Sequence, residues 1–262
     1  MLRNAFIGLV TAGIVAGFGQ FAVAADLPVK APIVRPVAVY DWTGFYVGAH
    51  GGAAWTDKRW FLPGIGEVAS YSANGAIGGV QAGYNWQSGH WVLGAEAQAS
   101  WSEIRKGVIW TDANSVIPYI EQDNLRAVRT VRTGTTVDRL GTIAARVGYA
   151  FDNVLLFAKG GGAWTHDIYR AFNANTATET LIASASGTRW GWMAGAGIEY
   201  GFAPNWSAKI EFDYLDFGTE RIVLASVPGI TPATRAFDVA QTISLVKVGV
   251  NYRFGGPVVA KY

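Results

Sequence analysis

The segment that decides the fold is Ile243–Phe254, which reads Ile-Ser-Leu-Val-Lys-Val-Gly-Val-Asn-Tyr-Arg-Phe. From Val246 to Phe254 every second residue is apolar or aromatic, and the residues between them include Lys247 and Arg253. Successive side chains of a β-strand point to opposite faces, so this strand has one apolar face and one polar, charged face. An apolar outer face that ends in aromatic residues is typical of a transmembrane β-strand.

The same alternation recurs in seven earlier segments, at residues 44–55, 76–87, 91–101, 139–151, 154–164, 190–201 and 206–214. The connections after the second, fourth and sixth segments are short, whereas the others, at 56–74, 102–137, 165–189 and 218–239, are long. Short turns on one side, long loops on the other and an even strand number are typical of bacterial outer-membrane barrels. The sequence therefore predicts an all-β fold: an eight-stranded antiparallel transmembrane up-and-down β-barrel, with strands of about 11 residues.

Aromatic residues lie near both ends of the apolar faces, as expected for rings at the two membrane interfaces. Trp91 and Trp101, for example, stand at the two ends of one segment. The alternative is that they fill the core of a soluble barrel, but charged residues make up only 15% of the chain, too few to cover a soluble exterior. The predicted aromatic girdle consists of Trp55, Trp86, Trp91, Trp101, Tyr149, Trp164, Trp192, Tyr200, Trp206, Tyr214, Tyr252 and Phe254.

The N-terminus predicts a secretory signal peptide. Arg3 precedes an apolar stretch at residues 6–18, and Ala22-Val23-Ala24 is typical of a cleavage site. The alternative is an uncleaved membrane anchor, but a spanning helix needs about 20 apolar residues. The expected organisation is a signal peptide (1–24), a proline-rich periplasmic segment (25–43), an outer-membrane β-barrel (44–254) and a short C-terminal tail (255–262).

Composition narrows the class of protein further. The 262-residue chain has no cysteine, which excludes a disulfide framework and a lipid anchor at the cleavage site. The formal net charge of +2 gives no basis for nucleic-acid binding, which requires a clustered basic face. After the leader, no apolar run is long enough to predict a transmembrane helix. These observations favour a closed barrel in the outer membrane of a Gram-negative bacterium.

The inward faces of the predicted strands collect ionisable residues. Such charges must be paired or hydrated, because an unpaired buried charge costs on the order of several kcal/mol. An eight-stranded barrel is just wide enough for its own side chains, so we expect salt bridges to plug the lumen. The alternative is a small porin, in which the same charges line a narrow ion path. The predicted lumen charge network consists of Glu96, Arg146, Lys159, Glu199, Lys209, Glu211, Asp213, Lys247 and Arg253.

Catalytic and metal-binding sites have little support in the sequence. A hydrolase needs a nucleophile and a base within hydrogen-bond reach, and His50, His90 and His166 fall at different levels of the predicted barrel. We expect His50 to be a hydrogen-bonded lumen residue rather than a base. No two histidines have metal-ligand spacing, and we expect no cofactor. The run Gly160-Gly161-Gly162 lacks the following Lys-Ser/Thr of a phosphate loop.

Motifs at the two ends of the chain resemble a known family. Residues 39–48 read Val-Tyr-Asp-Trp-Thr-Gly-Phe-Tyr-Val-Gly, and residues 248–254 read Val-Gly-Val-Asn-Tyr-Arg-Phe. With the leader, they resemble the outer-membrane immunogenic proteins of α-proteobacteria, the RopB-type porin-like family, over essentially the whole chain. The resemblance implies an eight-stranded barrel similar to the OmpA membrane domain, an outer-membrane location and an abundant structural or surface-antigen role. With the lack of a catalytic constellation, we expect a non-catalytic protein. The chain departs from the pattern by continuing past Phe254 to Tyr262.

The expected partners are outer-membrane lipids, lipopolysaccharide and, during biogenesis, the barrel-assembly machinery, which we expect to recognise the terminal aromatic Tyr262. Arg126, Arg129, Arg132 and Arg139 precede or begin the fourth segment. They predict an extension of that strand beyond the membrane toward anionic lipopolysaccharide, and the alternative is a solvated charged loop. The sequence carries no signal for the oligomeric state.

Overall fold

The computed structural model describes residues 40–64, 66–111, 130–173, 180–226 and 235–255. In this part of the chain every regular element is a β-strand. The expectations for the signal peptide, for residues 25–39, for Arg126 and Arg129, and for Tyr262 concern positions outside these ranges.

The fold confirms the prediction of an eight-stranded antiparallel barrel. Each strand pairs with the next one along the chain, and β1 pairs with β8 to close the ring. Closure pairs the backbone groups along both edges of the strands between the turn end and the level of Trp101, as a lipid environment requires. In chain order the strands are β1 (Gly44–Leu62), β2 (Gly66–Ser88), β3 (Trp91–Thr111), β4 (Thr130–Phe151), β5 (Val154–Asn173), β6 (Thr180–Ala203), β7 (Trp206–Ser226) and β8 (Arg235–Arg253).

The strands contain 19 to 24 residues and are thus nearly twice as long as the sequence analysis predicts. Large parts of the predicted long connections at 56–74, 102–137, 165–189 and 218–239 are therefore strand, and that prediction was wrong. In β1 the outward residues turn polar after Trp55, at Asp57 and Arg59, while Trp60 and Leu62 stay buried inside. Inward and outward residues still alternate here, but the outer face is polar. Strand ends that are predicted from the end of the apolar outer face are therefore placed too early.

Three short turns define one end of the barrel, the turn end, and the opposite end is the loop end. Two of the turns have a residue in the left-handed region, Gly89 (φ 60°) and Asp152 (φ 52°). Hydrogen bonds tie each turn to the adjoining hairpin: Ala150 N donates to His90 O (2.7 Å), and Gly201 N donates to Asn153 O (2.8 Å). The turn end is therefore a continuous bonded rim.

The predicted girdle residues lie on the outer face in two rings, and all of them are exposed or half-buried. Strand pairing fixes the height of each residue along the barrel. Trp55 and Tyr214, for example, both pair with Ser244 of β8 and therefore lie at the same height. Between the rings the outer face carries apolar residues such as Val248 and Ile143. The ring at the turn end comprises Trp86, Trp91, Tyr149, Tyr200, Trp206, Tyr252 and Phe254, and the outer ring, nearer the loop end, comprises Trp55, Trp101, Trp164, Trp192 and Tyr214.

The interior is built in alternating apolar and polar layers, where the sequence analysis expected only a polar lumen. Along β8 from the turn end, inward residues run from Lys247 through Leu245 and Ile243 to Gln241 and then to Val239. The apolar layers are a base layer (Tyr40, Trp42, Val92, Ala150, Leu155, Phe157), a thirteen-residue middle layer that includes Ala54, Met193, Leu215, Ile243 and Leu245, and a top layer that includes Trp60, Leu62, Tyr169, Phe237 and Val239. Charged side chains occupy the two levels between them.

The outer face between the rings yields a test of membrane orientation. Val248 is 58% exposed and sits among Val246, Val250 and Ile210. Replacing it by arginine (V248R) is expected to cost about 2–4 kcal/mol if it meets lipid near the midplane. The measurement is reversible urea unfolding in phospholipid vesicles, followed by tryptophan fluorescence.

Thr242→Arg is the matched control for V248R. Thr242 lies on the same face of β8, beyond the outer ring, and pairs with Asp57 and Asp216. An arginine there is expected to be neutral or slightly stabilising, since it meets two carboxylates in water. Equal effects of the two substitutions would contradict the assignment of the lipid-facing band.

Candidate functional site: the charged lumen

The candidate site is the charged layer between the base layer and the middle layer. Six strands supply its ionised side chains, because each places alternate residues inside the barrel. All eight are buried, with exposed fractions of 5% or less. They are Glu96 on β3, Arg146 on β4, Lys159 on β5, Glu199 on β6, Lys209, Glu211 and Asp213 on β7, and Lys247 on β8.

Three lysines and three carboxylates form one connected cluster. Lys247 Nζ lies 2.6 Å from Asp213 and 2.9 Å from Glu211. Lys159 Nζ lies 3.1 Å from Glu211, 3.2 Å from Asp213 and 3.2 Å from Glu96. Lys209 Nζ completes the set at 2.8 Å from Glu96 and 3.1 Å from Glu211. Each lysine thus bridges at least two acids, and no member depends on a single partner.

A second pair, Arg146 and Glu199, lies beside this cluster. One terminal nitrogen of Arg146 donates to Glu199 Oε2, and the guanidinium lies 3.7 Å from the ring centroid of Phe157. Ser207 Oγ (2.5 Å) and Asn251 Nδ2 (2.8 Å) donate to the other oxygen of Glu199. The carboxylate is therefore hydrogen-bonded at both oxygens, as a buried anion requires.

The layer is balanced, with four cations facing four anions. The sequence analysis added a fifth base, Arg253, but the structure places it apart from the carboxylates. Its terminal nitrogens donate to Thr43 O (3.0 Å) and Pro204 O (2.9 Å), and its guanidinium lies 5.2 Å from the Tyr40 ring. Arg253 therefore stabilises the turn end through backbone carbonyls. It is not part of the charge network, and that prediction was wrong.

Neutral side chains that the sequence analysis did not select complete the layer. Gln98 Nε2 donates to Glu96 and Glu211, each at 2.8 Å, and its carbonyl accepts from Lys247. Tyr46 OH donates to Glu96 Oε2 at 2.9 Å. Gly83 makes room for that contact, because a Cβ there would stand 2.5 Å from Tyr46 OH. The same period-two alternation that located the charged residues also predicts that Gln98 and Tyr46 point inward, so the sequence did carry a signal for both.

His50 takes part in an arrangement that the sequence analysis did not foresee. One ring nitrogen lies 2.8 Å from Ser100 Oγ and the other 2.8 Å from Gln81 Oε1. A hydroxyl, an imidazole and an orienting acceptor in this order resemble the groups of a serine hydrolase. All three side chains are buried, however, and Gly79 packs directly against the imidazole. The contacts leave the hydroxyl without space for a substrate, so they make His50 a hydrogen-bonded core residue.

Within the described ranges, no three His, Asp or Glu side chains form a group that could bind a metal ion. In the same ranges, no helix has the length and apolarity needed to span a bilayer.

Tyr40 and Trp42 close the base of the lumen. The sequence analysis placed them in the proline-rich segment before the barrel, but both are buried, and Trp42 is only 2% exposed. Trp42 N donates to Gln87 Oε1 at 2.8 Å, and the Tyr40 ring occupies the space over Gly201. These two side chains fill the lumen beneath the charged layer.

A second buried charge cluster lies above the middle layer. Lys58 Nζ is 2.7 Å from Asp167 Oδ1, and Gln241 bridges Asp167 (3.4 Å) to Arg189 (3.0 Å). Arg189 also donates to Val239 O at 2.7 Å. Sequence reasoning missed this cluster because it assigned these positions to loops rather than to strands. The lumen is therefore crossed by two charged levels that apolar side chains separate.

These features define the class of protein: a transmembrane β-barrel whose inward face carries charged side chains. The sequence matches the family described as "Outer membrane protein beta-barrel domain" over residues 22–254. It is 32% identical over 259 residues to the 31 kDa outer-membrane immunogenic protein of Brucella melitensis, covering 94% of this chain and 99% of that protein. The 25 kDa outer-membrane immunogenic protein of Brucella abortus is 26% identical over 241 residues, covering 90% and 92%.

The chain belongs to the outer-membrane immunogenic protein family, as the end motifs predict, and it is located in the bacterial outer membrane. Among solved structures, the outer membrane protein OprG from Pseudomonas aeruginosa is similar, with a TM-score of 0.47 and 11% identity, covering 82% of this chain and 98% of that chain. The family assignment rests on the sequence matches alone.

The charged layer predicts a large penalty for removing one partner. Lys247→Met leaves Glu211 and Asp213 short of a cation in a dry interior, so we expect a loss of about 3–5 kcal/mol in the free energy of unfolding. Lys106→Met, at an exposed position of β3, is the control and should change it by less than about 0.5 kcal/mol. The measurement is urea unfolding in vesicles, and similar effects of the two variants would indicate a hydrated lumen.

Lys58 predicts a pH dependence of stability. It lies outside the membrane-spanning segment, since Asp57 and Arg59 flank it beyond Trp55. Desolvation outweighs the attraction of Asp167 and lowers the pKa of Lys58 from 10.5 to about 8. Above pH 8 the folded protein releases a proton that the unfolded chain retains, so stability rises with pH.

The expected gain is about 2 kcal/mol between pH 8 and pH 10. Burial raises the pKa of Tyr71 and Tyr169 above the ordinary value of 10.0, so their ionisation in the unfolded chain opposes the gain at higher pH. The measurement is the urea midpoint at pH 8, 9 and 10. The variant Lys58→Met should lose this pH dependence, and an unchanged slope in the variant would assign it to another group.

Proposed function

We propose that this protein is a non-catalytic structural and surface-antigen barrel whose lumen is plugged by salt bridges. One observation carries the proposal: four buried cations and four buried anions form a balanced layer between two apolar layers. A conducting lumen needs ionised groups that face water, whereas these groups are buried and form ion pairs with one another. The runner-up function is a small porin for ions or small solutes.

The apolar layers support the plug as strongly as the charges do. An ion that passes must shed its water at each level, and an apolar constriction excludes water. Trp42 and Leu155 fill the base level, and Met193, Leu215 and Leu245 fill the middle level, all buried to 2% exposure or less. Opening the salt bridges alone would therefore leave the apolar layers as barriers in series.

The non-catalytic part of the proposal rests on access. His50 and Ser100 have the geometry of a base and a hydroxyl, at 2.8 Å, but both are buried within the filled lumen. A nucleophile acts only on a bond that can reach it at about 3–3.5 Å. The relatives are named immunogenic outer-membrane proteins, which favours display on the cell surface over catalysis.

The proposed partners follow from the two surfaces of the barrel. The apolar band and its aromatic rings match the lipid core and its interfaces. The strands continue beyond the outer ring, so their upper parts would lie among the lipopolysaccharide head groups. The barrel-assembly machinery is the proposed partner during insertion, with Phe254 as an aromatic strand end within the described part of the chain.

The plug is tested by single-channel recording of the refolded protein in a planar bilayer. We expect silence or rare, small openings, because the charged and apolar levels exclude hydrated ions. Heat-modifiable migration on a gel shows that the inserted protein is folded. Steady conductance in every insertion would refute the plug and establish a porin, with the lumen charges as its selectivity residues.

Cysteine labelling gives an independent control, because the chain has no cysteine of its own. Ser100→Cys places a thiol in the lumen, and Ser72→Cys places one on the exposed face of β2. With a small, membrane-impermeant thiol reagent, position 72 should react rapidly and position 100 only after unfolding. Fast labelling at position 100 in the folded protein would reveal a water path.

A further inference from the structure

The outer surface of the loop end carries two arcs of opposite charge. Among the residues that the structure describes beyond the outer ring, the outward-facing, exposed or half-buried residues of β3–β5 comprise four basic and two acidic residues, a net charge of +2. Those of β7, β8, β1 and β2 comprise two basic and four acidic residues, a net charge of −2. The basic arc contains Arg105, Arg132, Arg139 and Arg170, with Glu103 and Asp138, and the acidic arc contains Asp57, Glu67, Asp216 and Asp238, with Arg59 and Arg221.

Strand pairing assembles the basic arc directly above the outer ring. Trp101 pairs with Arg139, which pairs in turn with His166 on β5. Opposed residues of antiparallel strands have Cβ atoms about 5 Å apart, so an arginine stands beside an exposed indole at the membrane interface. One level higher, Arg170 pairs with Gly134, whose missing side chain leaves space above β4.

The charge of Arg139 is available to a ligand. The Arg139 side chain is 65% exposed, and its contact with an acid within the described part of the chain, from Nε to Asp138, is 3.6 Å long. In the acidic arc, by contrast, Arg221 makes two hydrogen bonds to Asp238, at 2.8 and 3.1 Å. Exposed pairs contribute little, so an anion with better geometry can displace Asp138. The connection at 112–129 has three acids and two arginines and does not reverse the sign of the arc.

We propose that the basic arc binds the phosphate groups of outer-leaflet lipids, and that the acidic arc repels them. The inference deepens the proposed contact with lipopolysaccharide by assigning it to one side of the barrel. The position fits, because head groups lie at the level of the interfacial tryptophans. The chemistry fits as well, since the guanidinium fork donates two parallel hydrogen bonds to a phosphate.

The test uses the full refolded protein in a non-ionic detergent, titrated with bis-phosphorylated lipid A and followed by native mass spectrometry. The arc variant is Arg105→Gln, Arg139→Gln and Arg170→Gln combined, and the matched control is Arg59→Gln with Arg221→Gln. All five positions are exposed, so both variants should fold. We expect the arc variant to bind lipid A at least about tenfold more weakly and the control to bind like the parent protein.

Two further ligands show whether the arc recognises the phosphates of lipid A or any free phosphate. Lipid A without its phosphates should bind all three proteins equally weakly, and inorganic phosphate at the same concentration should not displace lipid A. Equal binding of lipid A by the arc variant and the parent, equal loss in both variants, or displacement by inorganic phosphate would each overturn the inference. The plug is tested separately, by single-channel recording. A barrel that conducts ions but has an intact basic arc would still bind lipid A.

Discussion

The rest of the structure depends on the pairing of buried charge inside a closed barrel. A strand that passes through lipid with one apolar face must place its other residues in the lumen, and in this chain many of them are ionised. Because the lumen is too narrow for bulk water, each charge needs a partner. The layer around Glu211 meets this requirement with four cations and four anions from six strands. The pairing also restricts register, since a one-residue shift of any of these strands would move its charge into lipid.

The alternation of polar and apolar levels explains how such a lumen is stable. An interior made only of charged clusters would draw in water, and an interior made only of apolar side chains would not fix the register of the strands. Here Lys247 and Leu245 are successive inward residues of β8, and Lys58 and Trp60 are successive inward residues of β1. Apolar neighbours keep each cluster dry, which strengthens its hydrogen bonds and raises the cost of breaking them. The same arrangement underlies the proposed plug, so stability and the plug would have one origin.

The sequence predicted the membrane band and its charges well because both follow from a period of two. Between the aromatic rings, lipid requires apolar outward residues, so the inward positions of Glu96, Lys159 and Glu211 could be found by counting. Beyond the rings this requirement ends, and the strand extensions and the Lys58–Asp167 cluster were assigned to loops. Other features depend on contacts between distant segments. Gly201, for example, makes room for Tyr40, and no spacing rule connects those two residues.

The charge of the loop end is the feature least determined by the fold. Any barrel of this length needs polar outward residues above the membrane, and random placement would mix the signs around the rim. Segregation of Arg105, Arg139 and Arg170 from Asp57, Asp216 and Asp238 contributes nothing to closing the ring or filling the lumen. It costs some repulsion between like charges on neighbouring strands. A feature that the fold neither requires nor gains from is best explained by what the surface meets, and above an outer membrane that is a layer of phosphorylated lipid.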